Sequence, residues 1–116
     1  MELSQFLLAR IAEDEAVARA ATQSAKWWDW PGRDGRREAK VRAHEDPYIA
    51  LNVTNGDATH IARHDPARVL AECDAKRRIV AMMDDPHRDT YEVYAVLRAL
   101  ALPYADHDDY DEAWRP

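Results

Sequence analysis

The stretch HIARHDPARVLAECDAKRRIVAMM, residues 60–83, carries the clearest helix signal in the chain. The Asp65 carboxylate can accept hydrogen bonds from the amides of a first helical turn, and Pro66 suits the first helical position because it has no N–H to satisfy. Apolar residues then recur at steps of three and four, which predicts an amphipathic helix beginning at Pro66. Its buried stripe consists of Val69, Leu70, Cys73, Val80 and Met83.

The length and composition are those of one small globular domain. The chain has 116 residues, 47% hydrophobic and 33% charged, so we expect a single domain over residues 1–116. The longest apolar run is far shorter than the roughly 20 residues that cross a bilayer, which predicts no membrane partner. The N-terminal run MELSQFLLARIAEDE lacks a basic region and a cleavage site, so we expect a cytoplasmic protein without a signal peptide.

Charge is negative overall and uneven along the chain. The formal net charge is −6 and the pI is near 5.3, which argues against non-specific binding to nucleic acid. Basic residues nevertheless crowd residues 26–42, and acidic residues crowd residues 106–112. We interpret both segments as solvated surface or as two regions that pair with each other.

Further elements follow from periodicity and turn signals. Apolar stripes predict helices over residues 3–21 and 90–101, the second opened by Asp89. Strands are predicted at the alternating tryptophans of residues 27–30, at residues 39–41, and at residues 48–53 with Pro47 at the entry. These elements predict an α+β fold with three main helices packed on a small antiparallel sheet or hairpin.

The connection between the last strand and the long helix has its own turn signal. Asn55-Gly56 predicts a turn, since both residues tolerate positive φ. After it, Asp57 is expected to cap a short helix that runs through His64. At the other end of the chain, Tyr104, Tyr110 and Trp114 predict a tail that folds back, because their large apolar surfaces would otherwise lie in water.

Three runs resemble a known family. The run HIARHDPARVLAECDAKRRIV, the N-terminal helix leading into Ala-Thr and then tryptophans, and the ending LPYADHDDYDEAWRP are similar to a family of small proteins from actinobacteria and their phages, described only as a domain of unknown function. A more distant similarity is to phage accessory proteins with an Ala-Thr-Pro-Gly-Pro-Trp segment, from which residues 21–27 depart. The resemblance implies a phage or mobile-element context and transfers no functional residue.

Histidines form the first candidate site. His60 and His64 are four residues apart, which places both imidazoles on one helix face, a spacing that can bind a divalent metal ion. A third ligand would have to be supplied by Asp57, His44 or His107. The alternative is that His60 is a packing residue and His64 a surface residue near the helix end.

A nuclease is a related hypothesis. His44, Asn55 and His64 have the order and approximate placement of a ββα-metal nuclease, in which one histidine activates water and another holds the metal. Together with His60 they define the alternative of a metal-dependent hydrolase or nuclease. No other cofactor is predicted.

The tryptophan segment with its basic neighbours, residues 27–42, is the third candidate. Its rings and basic neighbours could bind a partner, either by stacking bases and contacting phosphates or by contacting a protein. The alternative is that Trp28 and Trp30 anchor the hairpin to the helices. The candidate partner-binding residues are Trp27, Trp28, Trp30, Arg33, Arg36 and Arg37.

The leading hypothesis is a non-enzymatic protein-interaction protein. The sequence contains no Gly-rich phosphate loop, no complete metal motif and no nucleophile with its base. Helices with apolar stripes and exposed aromatic residues could also form a homodimer. The acidic segment 106–112 could imitate a phosphate backbone, although docking on the domain itself is the alternative.

Overall fold

A computed structural model describes residues 1–21, 25–44 and 48–116. The α+β fold predicted from the sequence is confirmed. The described elements, in chain order, are α1 (Leu3–Ala21), β1 (Trp27–Trp30), β2 (Ala39–Ala43), β3 (Ala50–Val53), α2 (Asn55–Arg63), α3 (Pro66–Met83) and α4 (Thr90–Ala101), followed by short 3₁₀ turns at Leu102–Tyr104 and Glu112–Trp114.

The chain divides into two compact units. One comprises residues 1–14 and 72–116, and the other comprises residues 15–71. We call them the terminal unit and the sheet unit. That all 116 residues form a single domain stays a prediction. The predicted strand entry at Pro47 lies outside the described residues, as does the segment that precedes the tryptophans at residues 22–24.

The sheet unit contains one three-stranded antiparallel sheet in the order β1-β2-β3. Trp28 lies opposite Arg42 and Trp30 lies opposite Lys40, while the two alternate positions of β1, residues 27 and 29, pair with buried residues of β2. Alternate side chains of a strand point to opposite faces, so one face carries the buried residues and the other carries Trp28 and Trp30. The core of this unit is formed by Ala39, Val41, Ala58 and Ala62. Helix α2 therefore covers the inner face.

Helix α2 begins where a turn was expected. The Thr54 hydroxyl accepts a hydrogen bond from the Asp57 amide at 3.2 Å and caps the helix, which starts at Asn55. The predictions of an Asn55-Gly56 turn and of an Asp57 cap are therefore wrong. The reason is that threonine directly before Asn55 is a good N-cap residue, and its cap outweighs the local preference of Asn-Gly for a turn.

Helix α3 begins at Pro66 as predicted. The Asp65 carboxylate accepts from the Arg68 amide at 2.9 Å through one oxygen and from the Trp27 amide at 3.1 Å through the other. A second hydrogen bond is donated by the Ala67 amide to the Ala25 carbonyl at 2.9 Å. Amides of the first turn thus find partners inside the sheet unit. The start of α3 is joined to the start of β1 by these bonds.

The terminal unit is organised around the Phe6 ring. Four aromatic rings surround it with centroid distances of 5.1 to 6.4 Å, and they belong to Tyr104, His107, Tyr110 and Trp114. Arg98 holds the end of the tail by donating to the Trp114 carbonyl at 2.9 Å. The prediction that the aromatic tail folds back is confirmed. The Asp89 carboxylate also caps α4 as predicted, accepting from the Tyr91 amide at 2.7 Å.

A polar network lies beside this aromatic cluster. The Tyr104 hydroxyl donates to Asp14 at 2.8 Å and accepts from the Lys76 ammonium at 3.1 Å. Burial, together with the hydrogen bond to the Asp14 carboxylate, raises the pKa of Tyr104 far above its ordinary value near 10. Buried Arg10 donates to Glu13 at 2.9 Å and to the His107 ring at 2.8 Å. Tyr104 and Arg10 therefore both connect side chains within the terminal unit.

Candidate functional site

The outer face of the sheet exposes four large apolar side chains. Trp28 is 40% exposed, Trp30 53%, Tyr48 55% and Leu51 48%. Leu51 points outward because its neighbour Ala50 pairs with buried Val41 on the inner side. We call this surface, with the basic residues of β2, the open face; it consists of Trp28, Trp30, Lys40, Arg42, Tyr48 and Leu51.

Two cations lie over aromatic rings on the open face. The Arg42 guanidinium carbon is 5.0 Å from the centroid of Trp30, and the Lys40 ammonium is 5.8 Å from the centroid of Tyr48. Arg42 lies opposite Trp28 in the register, so its side chain reaches diagonally to Trp30. Diagonal cross-strand neighbours lie within reach of long side chains, and a cation over a ring is attracted by its π-face. The open face is therefore both apolar and positively charged.

The tryptophans divide between the two faces of the sheet. Trp27 is half-buried and packs on the inner side against the core of the sheet unit. Its position opposite Ala43 puts it on the covered face, and its role as a partner-binding residue stays a prediction. The alternative that Trp28 and Trp30 anchor the hairpin to the helices is wrong, since both are exposed. The predicted strand alternation is confirmed.

The three arginines predicted to bind a partner, Arg33, Arg36 and Arg37, lie in the loop that joins β1 to β2. Arg33 donates two side-chain hydrogen bonds to Glu38, at 2.6 and 3.0 Å, and this pairing lowers the pKa of Glu38. Arg37 donates to the Asn52 carbonyl at 3.3 Å, and Arg36 is exposed in the loop. Arg33 and Arg37 thus shape the edge of the open face by contacts within the sheet unit.

Two hydrogen bonds between the Asn55 side chain and the Gly32 backbone fix the same loop. The Gly32 amide donates to the Asn55 side-chain oxygen at 2.9 Å, and the Asn55 amide group donates back to the Gly32 carbonyl at 3.2 Å. A Cβ atom at Gly32 would lie 2.6 Å from the Glu38 Cβ, so the loop requires glycine there. Both polar ends of the Asn55 side chain therefore hold the loop, a structural role that differs from the one a nuclease site would give it.

The rings of His60 and His64 lie side by side as predicted. The His60 and His64 rings lie 4.5 Å apart, and His64 Nδ1 donates to the His60 carbonyl at 2.8 Å, which leaves Nε2 available. Within residues 1–21, 25–44 and 48–116, no group of three or more His, Cys, Asp or Glu side chains could hold a metal ion. His44 is exposed directly after β2.

His107 has a different environment in the terminal unit. Its Nδ1 accepts from Arg10 at 2.8 Å and from the Asp109 amide at 3.0 Å, and its ring packs edge-on to Phe6 at 5.8 Å. These contacts occupy one ring nitrogen and part of the ring surface. The structure therefore gives His107 a packing role, and its assignment as a ligand beside His60 and His64 gains no support from the described residues.

Acidic residues of the tail are used locally. Asp111 caps the last 3₁₀ turn by accepting from the Ala113 amide at 2.9 Å, and Glu112 pairs with Arg115 at 2.9 Å. That the tail imitates a phosphate backbone stays a prediction.

The segment 27–42, predicted from the sequence as a binding segment, includes Lys40 and Arg42 of the open face, whereas Tyr48 and Leu51 lie outside it. The strict alternation of small apolar and basic residues in AKVRA, residues 39–43, marks one covered and one open face. Tyr48 and Leu51 depend on the irregular pairing of β2 with β3, which the sequence does not reveal.

The fold and the open face define a small α+β protein with an exposed aromatic and basic sheet surface. A family model described as "Family of unknown function (DUF6221)" matches residues 1–116, and the chain belongs to this family. No curated protein and no solved structure matches the chain significantly. None of the helices in the described parts of the chain has the length and apolar character needed to span a membrane.

Proposed function

We propose that this protein is a non-enzymatic interaction protein that binds an acidic surface of a partner protein through the open face. The single observation that carries the proposal is the clustering of Trp28, Trp30, Tyr48 and Leu51 on one sheet face with two cations over the rings. Tryptophan, tyrosine and arginine are the residue types enriched at the energetic centres of protein interfaces. Large apolar patches on soluble proteins mark interaction sites.

The exposed area of the tryptophan rings is large enough for the energetic centre of a protein interface. An aromatic side chain buries roughly 150–250 Å² when fully covered, so a half-exposed Trp30 leaves on the order of 100 Å² for a partner to cover. At about 25 cal/mol per Å², covering that area contributes roughly 2.5 kcal/mol. Trp30 alone could therefore provide the stabilisation expected of an interface hot spot.

Charge argues for an acidic protein rather than for a nucleic acid. Residues 15–71 hold nine Lys or Arg and eight Asp or Glu, so the sheet unit is nearly neutral although its open face is basic. The whole chain has a net charge of −6 and repels a polyanion at long range. A partner with a local acidic patch gains from Lys40 and Arg42 without that penalty.

The wider context is also part of the proposal. The three runs that resemble proteins of actinobacteria and their phages support a phage or mobile-element accessory role. The partner is then a host or phage protein, and we expect both proteins to meet in the cytoplasm.

Differential capture from a host lysate tests the proposal. Wild-type protein and the variants Trp30→Ala and Arg42→Glu would be immobilised beside Tyr91→Ala, which removes an 83% exposed ring from α4 in the terminal unit. We expect proteins that the wild type and Tyr91→Ala retain and that both open-face variants lose, and we expect them to carry acidic surfaces. Capture that is equal on all four proteins would contradict the proposal.

Single-stranded nucleic acid is a second candidate, favoured by the spacing of two exposed rings. Trp28 and Trp30 are two residues apart on a strand, about 6.6 Å, and each offers a ring face on which a base could stack. Tryptophan fluorescence titrations with single-stranded DNA and RNA would test it. Quenching by oligonucleotides that is lost in Trp30→Ala and weakens steeply with added salt would replace the protein partner by a nucleic acid.

A further inference from the structure

The two cations of the open face have no carboxylate partner among the described residues. Several arginines elsewhere in the chain form ion pairs within it, namely Arg10, Arg19, Arg33, Arg78 and Arg115. Lys40 and Arg42, by contrast, form no ion pair with any residue in the ranges 1–21, 25–44 and 48–116, and they contact the rings of Tyr48 and Trp30 instead. Both cations are therefore available to a carboxylate of another molecule.

Arg42 is held in position without losing its hydrogen-bond donors. Its guanidinium carbon lies 5.0 Å from the Trp30 centroid, and its Nε is buried with no acceptor among the described residues. The two terminal nitrogens carry the remaining donors, and together they can donate two parallel hydrogen bonds to one carboxylate. A lysine ammonium is a point charge and cannot reproduce this geometry. Because the ring already restricts the arginine, less side-chain freedom is lost when a carboxylate binds.

The two cations are spaced like the side chains of an extended chain. Lys40 and Arg42 are alternate residues of β2, so their side chains leave the same face of the sheet about 6.6 Å apart. Alternate side chains of an extended partner segment have the same spacing and also point to one side. Residues two apart on a helix do not share a face. Carboxylates at positions i and i+2 of an extended segment therefore match both cations.

Apolar side chains border the cations on both neighbouring strands. Strand β2 is central, and Trp28 and Trp30 of β1 lie on one side of it. On the other side, two residues of β3 oppose one residue of β2, and this bulge leaves Leu51 exposed beside Lys40. Strands β1 and β3 are each four residues long, about 13 Å. The open face is thus a short charged row between two apolar margins, and its length suits an extended segment of a few residues.

We propose that the open face binds an extended acidic segment of the partner protein in which carboxylates occupy alternate positions. One carboxylate accepts two hydrogen bonds from Arg42, the next one pairs with Lys40, and apolar groups beside them cover the exposed tryptophans. Arg42 determines the specificity, whereas Lys40 supplies charge. This inference rests on the proposed function, because it names the element of the acidic partner that the open face binds.

Two peptides of equal composition test the spacing. The first is a capped peptide Leu-Thr-Glu-Thr-Glu-Thr-Leu, and the second is its rearrangement Leu-Thr-Glu-Glu-Thr-Thr-Leu. Their charge and apolar area are equal, but only the first places both carboxylates on one side when it is extended. Fluorescence anisotropy of the dye-labelled peptides would measure their Kd for the wild-type protein. We expect the alternating peptide to bind about threefold to tenfold more tightly than the rearranged one.

Variants that conserve charge test the role of Arg42. Arg42→Lys keeps the charge and removes the two-point contact, so the alternating peptide should bind about threefold to tenfold more weakly. Lys40→Arg should bind it within about twofold of the wild type, because a point charge is sufficient there. Arg63→Lys is the matched control, since Arg63 is exposed at the end of α2, the helix that covers the other face of the sheet. Circular dichroism would check that all variants fold, and the comparison of the two peptides on the wild type needs no variant.

The possible results separate this inference from the proposed function. Equal binding of the two peptides, or an Arg42→Lys variant that binds like the wild type, would overturn the inference, and the proposed function would stand if Trp30→Ala still weakened binding. A wild type that binds neither peptide would also overturn it, and the lysate capture would then decide separately whether the open face binds a folded acidic surface. Tighter binding of a single-stranded oligonucleotide of equal charge would replace the acidic segment by a nucleic acid.

Discussion

Replacing Asp65 by alanine should destabilise the protein more than the loss of an ordinary helix cap. Asp65 is 6% exposed, and its carboxylate accepts from the Arg68 amide at 2.9 Å and from the Trp27 amide at 3.1 Å. Removing an N-cap costs about 1 kcal/mol. Leaving the partly buried Trp27 amide without a partner adds up to about 1–3 kcal/mol. We therefore expect Asp65→Ala to lower the free energy of unfolding by roughly 2–4 kcal/mol.

Thr54→Ala is the matched control in the same unit. The Thr54 hydroxyl accepts one hydrogen bond, from the Asp57 amide at 3.2 Å, and ties no strand to its helix. Its loss should lower the free energy of unfolding by about 1 kcal/mol. Urea unfolding followed by far-ultraviolet circular dichroism would measure all three proteins. An Asp65→Ala effect no larger than that of Thr54→Ala would refute the argument that this carboxylate joins β1 to α3.

Three further predictions concern the polar network, the loop and the histidines. The pKa of Tyr104 is raised in the folded protein, so its contribution to the free energy of unfolding is fully present below pH 10 and is lost as pH rises towards the folded pKa. Tyr104→Phe should flatten this alkaline dependence in urea unfolding and should lower the free energy of unfolding by about 1–2 kcal/mol at pH 7. Gly32→Ala should destabilise by about 1–3 kcal/mol because the new Cβ meets Glu38. A Cβ atom at Gly56, in helix α2, would meet nothing within 4 Å, so Gly56→Ala should instead stabilise the protein by about 0.5–1 kcal/mol. Thermal unfolding that shows the same effect for both glycine variants would contradict these two predictions. Elemental analysis of untagged protein should find no stoichiometric metal; zinc or manganese that disappears in His64→Ala would favour the hydrolase.

Local signals predicted the elements whose ends are capped by their own sequence neighbours. Asp65 and Pro66 define the start of α3, and Asp89 defines the start of α4, because an acceptor and the amides that it binds are adjacent in the chain. Thr54 belongs to the same class but competes with the Asn55-Gly56 turn signal. The Thr54 cap outweighs the turn signal in the folded protein, where the packing of the helix and the pairing of Asn55 with Gly32 support it.

The site was less predictable because it depends on which side of a strand is covered. Alternation in residues 27–30 separates Trp28 and Trp30 from Trp27, but it does not say which set faces the helix. The register decides this, since buried Val41 lies opposite Asp29 and therefore places Trp27 on the covered face. A register is a contact between distant residues, and a single strand contains no information about it.

The composition of the open face is not explained by the stability of the sheet. A solvent-facing strand position is satisfied by threonine or by a charged residue, which leaves little apolar area in water. Trp28 and Trp30 instead expose 40% and 53% of their surfaces, and single exposed apolar residues are common whereas four on one face are not. Arg42 over Trp30 and Lys40 over Tyr48 add positive charge to the same area. That charge opposes pairing of two open faces and favours an acidic surface, so apolar area would provide affinity while the cations select the partner.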